Sequence, residues 1–85
     1  MKKIEIYTAD NCRFCQETKA LLKSYGVKFS EINVTNDPDR KELTNRTFGI
    51  RAVPQIFVND EYLGDATFIK SLENSGRLSH KLGLE

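Results

Sequence analysis

The two cysteines of this chain stand three positions apart, as Cys12-Arg13-Phe14-Cys15, and thiols at that spacing can open and close as a disulfide. The reactive form of a thiol is the thiolate, so the chemistry depends on what lowers its pKa. The flanking residues supply a reason. Ile4, Ile6 and Thr8 alternate with Glu5 and Tyr7, the period of a strand. Asp10 and Asn11 are turn formers and good helix N-caps. From Phe14 onward the apolar positions fall at 14, 18, 21, 22 and 25, counting the Thr18 methyl, and these make one face of a helix. Cys12 is therefore expected at or just before a helix N-terminus. Unpaired N–H groups and the helix dipole favour negative charge there and keep the thiol partly ionised. Cys15, one turn further in, points into the same region from below.

Three other roles for the pair are weaker. Free cysteines often serve as small buried hydrophobes, but that does not explain two of them at one strand–helix corner. A structural zinc site usually takes four ligands, and the only other good one is His80, near the far end. A disulfide closing so short a loop removes little unfolded-state entropy, which speaks against a purely structural bond. Redox chemistry is the reading the pair supports.

The bulk composition sets no competing agenda. It is 39% hydrophobic and 29% charged, without tryptophan, and its formal net charge of +1 creates no global field toward nucleic acid or membrane. A chain of 85 residues predicts one domain over 1–85 with a single modest core. No apolar run approaches membrane-spanning length. Glu5 and Asp10 interrupt the apolar segment that a signal peptide would need after Lys2-Lys3. The expected location is the cytoplasm, where a C-x-x-C pair is more often catalytic than structural.

Taken in order, residues 2–8 predict a strand and 13–25 a helix that Gly26 ends. Residues 27–34 predict a second strand whose alternation slips, Val27 and Phe29 having one parity and Ile32 and Val34 the other. Asp37-Pro38 has the form of an N-cap followed by a first helical proline, and predicts a second helix to about Thr47, with Leu43 and Phe48 as its apolar anchors. The charges of Asp39, Arg40, Lys41 and Glu42 are read as its solvated face. Residues 52–58 predict a third strand opened by Pro54. Asn59-Asp60 predicts a two-residue hairpin turn into Glu61-Tyr62-Leu63. After a corner at 64–67, Thr67 is the expected N-cap of a helix carrying Phe68, Ile69 and Leu72 and closed by Gly76, and 78–84 predicts a short final turn. The order β-α-β-α-β-β-α requires a parallel pair and an antiparallel hairpin, hence a small mixed sheet with helices on both faces.

On these residues the chain resembles the glutaredoxins across nearly its whole length. The match is Tyr7-Thr8 leading to Cys12-Arg13-Phe14-Cys15, then Ala52-Val53-Pro54, Leu63-Gly64, and Leu72 with Gly76 in the last long helix. The resemblance implies a thioredoxin-like α/β fold with a four-stranded mixed sheet. It also implies a glutathione-dependent oxidoreductase that reduces glutathione mixed disulfides and protein disulfides, with Cys12 as nucleophile and Cys15 as resolving thiol. Pro54 would be cis and beside the disulfide. That would turn the Val53 backbone toward the cysteines, where it could pair with glutathione like a short added strand. Glutathione is then a co-substrate, and no tightly bound cofactor is expected. The remaining partners are glutathionylated or disulfide-bearing proteins, ribonucleotide reductase among the candidates, and the chain is read as a monomer.

The sequence departs from the family pattern at several of these places. Arg13 stands where proline is common, and Phe14, which the resemblance also places against glutathione, where tyrosine is frequent. A cation adjoining Cys12 favours its thiolate. Ala9 stands where a lysine often helps hold a glutathione carboxylate, and Arg13, Lys41 and Arg51 are the cations offered in its place. At the other end of glutathione, Gly64-Asp65-Ala66-Thr67-Phe68 has aspartate for the second glycine and phenylalanine for an acidic residue. Thr67 and the free N–H groups at that helix start, over Asp65 and Ala66, would hold a second carboxylate. The departures keep two further family roles in view. One is a redoxin serving ribonucleotide reductase and recharged by thioredoxin reductase. The other is a glutaredoxin that bridges a [2Fe–2S] cluster between two subunits through its first cysteine and glutathione.

Overall fold

The alternation read in the first strand sorts the core into two layers. In the computed structural model, which describes residues 2–85, β1 (Ile4–Thr8) sends Ile4 and Ile6 to one side of the sheet and Tyr7 to the other. α1 (Arg13–Ser24) crosses over to β2 (Ser30–Asn33), which lies parallel to β1. β3 (Gln55–Val58) runs antiparallel to β1 on its other side, and β4 (Glu61–Asp65) completes the order β2-β1-β3-β4. Ile4, Ile6, Ile56 and Val58 pack with Leu22 of α1, Ile69 and Leu72 of α3 (Ala66–Asn74), and Leu78 of α4 (Leu78–Lys81). On the opposite face Tyr7 and Phe57 pack with Val34 and with Leu43 of α2 (Lys41–Thr47). This is the thioredoxin-like fold that the resemblance implies. No helix among the described residues is long and apolar enough to cross a membrane.

The slipped parity after Gly26 has a simple origin. The ladder of β2 holds only residues 30–33, so Val27 and Phe29 belong to a loop lying over the α1 and α3 side, whereas Ile32 and Val34 face α2. The hairpin is as the sequence predicts. Asn59 and Asp60 both take positive φ, 52° and 68°, which suits a two-residue turn joining twisted strands.

The second helix is a correction. Asp37 does not cap it and Pro38 is not in it: a turn at 37–40 precedes it, closed by Arg40 N–H on the Asp37 carbonyl at 3.1 Å, and the helix starts at Lys41. Arg40 sits in the left-handed region at φ 48° without a side-chain cap, while its guanidinium donates to the Arg51 carbonyl and Arg51 donates to the Pro38 carbonyl. Those two bonds clip the turn to the segment leading to Pro54, and this tertiary tie overrides the local helix-start signal. Phe48, expected to anchor the helix, is fully exposed and also left-handed, at φ 58°.

Nor is the charged side of α2 only a solvated face. Arg46 donates to Glu5 at 3.0 Å and to the Tyr7 hydroxyl at 2.9 Å, and its guanidinium carbon lies 3.9 Å from the centre of the Phe57 ring. Tyr7 in turn donates to Glu42 at 2.7 Å. Burial, then the bond to Glu42, pushes the Tyr7 phenol above its ordinary pKa, so it stays a donor. Arg46 and Glu5 expose only 22% and 17% of their side chains, so removing one partner strands the other away from water. Arg46→Ala is expected to cost about 2–3 kcal/mol, below the 3–5 of a fully buried pair, as measured by urea unfolding. Arg46→Met restores the stacking on Phe57 but not the charge, and pairing it with Glu5→Gln should recover much of the loss.

Candidate functional site

Cys12 is itself the N-cap of α1. It has extended dihedrals, φ −105° and ψ 104°, and its sulfur accepts the Cys15 N–H at 3.1 Å. The sulfur thus occupies the place that a serine or aspartate oxygen takes in other caps, where one of the helix's free N–H groups needs an acceptor. A thiolate formed there meets that N–H and the positive end of the helix dipole. Asp10 and Asn11, the better cappers by residue type, instead build the turn that delivers Cys12. Asn11 adopts φ 56°, Asp10 N–H donates to the Thr35 hydroxyl at 2.7 Å, and Asn33 donates to the Asp10 carboxylate at 2.9 Å.

The two cysteines are joined as a disulfide with their Cα atoms 5.2 Å apart, and they differ in access. Cys12 is partly exposed; Cys15 is completely buried. Only the Cys12 sulfur can meet a thiol or disulfide arriving from solution. Facing it at 3.9 Å is the carbonyl oxygen of Val53, whose peptide bond to Pro54 is cis, as the sequence reading expects.

Beside this contact lies a hollow of about 150 Å³ lined by Phe14, Ala52, Val53, Pro54, Gln55, Asp65, Ala66 and Thr67. It brings together six of the nine residues that the resemblance assigns to glutathione: Phe14, Val53, Pro54, Asp65, Ala66 and Thr67. The three cations are not in its lining. Arg13 is 87% exposed and turns to Glu17 at 3.1 Å, one helical turn on. Arg51 bonds the Pro38 carbonyl, and Lys41 is exposed at the start of α2. Arg13→Ala is accordingly expected to raise the Cys12 thiol pKa only slightly, because an exposed, already paired cation acts through water. Titration of thiolate absorbance checks it.

The cap of α3 is a second correction. β4 runs on through Gly64 to Asp65, and the Asp65 carboxylate, not Thr67, caps the helix by accepting the Phe68 N–H at 2.9 Å. Thr67 is the second helical residue and is exposed. Gly64 is required by packing: a Cβ there would lie 2.7 Å from the Phe68 ring. Gln55 was not singled out in the sequence, yet it is buried at the head of β3 and lines the hollow. Its amide donates to the Ala52 carbonyl at 3.0 Å and accepts from the Tyr62 hydroxyl at 2.6 Å, tying the segment before Pro54 to β4. The signal was present, since a glutamine between a proline and three apolar residues in a central strand needs partners of its own. Among the described residues, no three His, Cys, Asp or Glu side chains gather as a metal site.

Comparison with known proteins agrees with this geometry. The glutaredoxin family model matches residues 4–63. A probable glutaredoxin of the cyanobacterium Synechocystis is 42% identical over 77 residues, covering 89% of this chain and 88% of that one. The solution structure of a glutaredoxin from Brucella melitensis superposes with a TM-score of 0.81 at 32% identity, over 96% of this chain and 89% of that one. A buckwheat glutaredoxin–glutathione complex shares the fold, with a TM-score of 0.83 at 20% identity, over 96% of this chain and 77% of the other. With a C-x-x-C pair at the head of α1, a family model matching residues 4–63 and a relative of this similarity along nearly all of its length, the chain belongs to the glutaredoxin family.

Proposed function

We propose that this protein is a glutathione-dependent thiol–disulfide oxidoreductase acting on glutathione mixed disulfides and on protein disulfides. The observation that carries the reading is the unequal pair: Cys12 caps α1, is partly exposed and faces the Val53 carbonyl, while Cys15 lies buried one turn behind it. In the reduced form the Cys12 thiolate attacks one sulfur of the substrate disulfide. That S–S bond breaks, the released thiolate takes up a proton, and Cys12 is left in a mixed disulfide. Cys15, deprotonated, then attacks the Cys12 sulfur and releases the second substrate thiol, so two electrons pass and the Cys12–Cys15 disulfide forms. With a glutathionylated substrate, Cys12 instead takes the glutathionyl group and a second glutathione removes it. The Val53 backbone at the rim is the candidate partner for an extended peptide such as glutathione. A glutathione complex of the buckwheat relative supports the assignment of the co-substrate.

A second reading has its own support. Asp65 places a carboxylate in the hollow, and Arg13 and Arg51 are engaged elsewhere, so little in the site attracts the two carboxylates of glutathione. This favours a redoxin recharged by thioredoxin reductase, with ribonucleotide reductase as a disulfide partner. One experiment separates the two: NADPH consumption is followed with glutathione plus glutathione reductase, and separately with thioredoxin reductase. Turnover is expected in the first arm. Turnover confined to the second would replace the glutathione reading with the redoxin one.

A further inference from the structure

The hollow beside Cys12 does not end at Thr67. It shares Phe14, Ala66 and Thr67 with a groove of about 810 Å³ between α1 and α3, so a polypeptide seated in the one adjoins the other. Charges along the two are unevenly matched. In the groove Glu17 is paired with Arg13 at 3.1 Å, and Lys70 and Glu73 both line the walls. At the sulfur end the hollow has one ionisable side chain, Asp65. Its carboxylate is exposed, holds only the Phe68 N–H at 2.9 Å, and has no cationic partner among the described residues. The nearest acidic residue before the motif, Asp10, is bonded to Asn33 and is not in the lining.

We propose that Asp65 is a specificity-determining residue: it favours polypeptide disulfides with lysine or arginine beside the reactive cysteine over those with aspartate or glutamate there. The inference rests on the oxidoreductase reading above and names the substrate class of the same site. Its physical content is a fixed negative charge in the hollow that adjoins the Cys12–Val53 contact, with the flank of the attacked cysteine seated there. A basic flank is attracted, an acidic one repelled, and both effects grow as the occupant displaces water. The groove supplies room for the rest of the peptide.

The test uses the full chain, reduced beforehand and freed of reductant, in a single turnover. Two symmetrical peptide disulfides are compared, identical except for lysine or glutamate next to the cysteine. Each reaction consumes the Cys12 and Cys15 thiols, forms their disulfide, and yields two peptide thiols, which are counted by chromatography. A basic flank makes a disulfide intrinsically more reactive toward any thiolate, so the readout is the lysine-to-glutamate rate ratio relative to that in Asp65→Asn. Asparagine caps a helix as well as aspartate does, and Asp65→Ser provides a second neutral cap should the first fold poorly.

At low salt the ratio is expected to fall about three- to tenfold in both variants, as for unit charges several ångströms apart near a surface. The ratio should shrink at high salt in all three proteins, and more steeply in wild type than in the variants, where only the attacking thiolate discriminates between the flanks. An equal ratio in wild type and variants would overturn the proposal while leaving the oxidoreductase reading intact. Failure of wild type to reduce either peptide would overturn both.

Discussion

Cys12→Ser is expected to abolish thiol–disulfide exchange with every substrate, glutathionylated or protein, while leaving the fold unchanged. The structure makes this substitution unusually clean. Cys12 caps α1 through its sulfur, and serine is among the best capping residues, so its hydroxyl can accept the same Cys15 N–H. A hydroxyl cannot form the sulfur–sulfur bond on which the reaction depends. Cys15 cannot take over, because it is completely buried. The variant should therefore melt within a few degrees of the wild type with its disulfide reduced. It should show no glutathione-coupled NADPH consumption above the blank and alkylate slowly at its one remaining thiol. Activity retained through Cys15 would mean that α1 opens enough to expose that residue, and would reverse the proposed roles.

How far this site was legible in the sequence depends on the range of the interaction that decides each feature. The position of Cys12 at a helix start follows from two local periodicities meeting at one corner, and both survive in β1 and α1. That the cysteine is the cap itself was hidden, because Asp10 and Asn11 are the usual cappers. Asp10 is drawn off by bonds to Thr35 and Asn33, residues 23 to 25 positions away in the chain, and Asn11 takes the left-handed turn at φ 56°. The choice of Asp65 over Thr67 has the same character. Both residues cap well, and the winner is set by how far β4 stays paired: Asp65 is still opposite Gln55 in the sheet. The Asp37-Pro38 signal lost for a similar reason, the clip formed by Arg40 and Arg51. Arg46 was least legible of all. A charged helix face reads as solvated until it is known that Glu5 and Tyr7 on the sheet offer it partners.

The second large effect expected is a split between substrates on removing Cys15. Loss of glutathione from a glutathionylated peptide needs only attack by Cys12 and a second glutathione. That activity should survive Cys15→Ser within a fewfold. Reduction of a protein disulfide leaves the protein attached to Cys12, and without Cys15 the release falls to an outside thiol that must reach a sulfur covered by the attached protein. This activity should fall by at least about tenfold, with the mixed disulfide accumulating and visible by mass spectrometry. The hydroxyl of Cys15→Ser would be buried in a site built for sulfur, at a cost of about 1–3 kcal/mol if it finds no partner, so Cys15→Ala should be run beside it. Both variants should show the same split if resolution is the role of Cys15. Proportional loss of both activities in both variants, with the proteins folded, would show instead that Cys15 is needed to hold Cys12 in its reactive geometry.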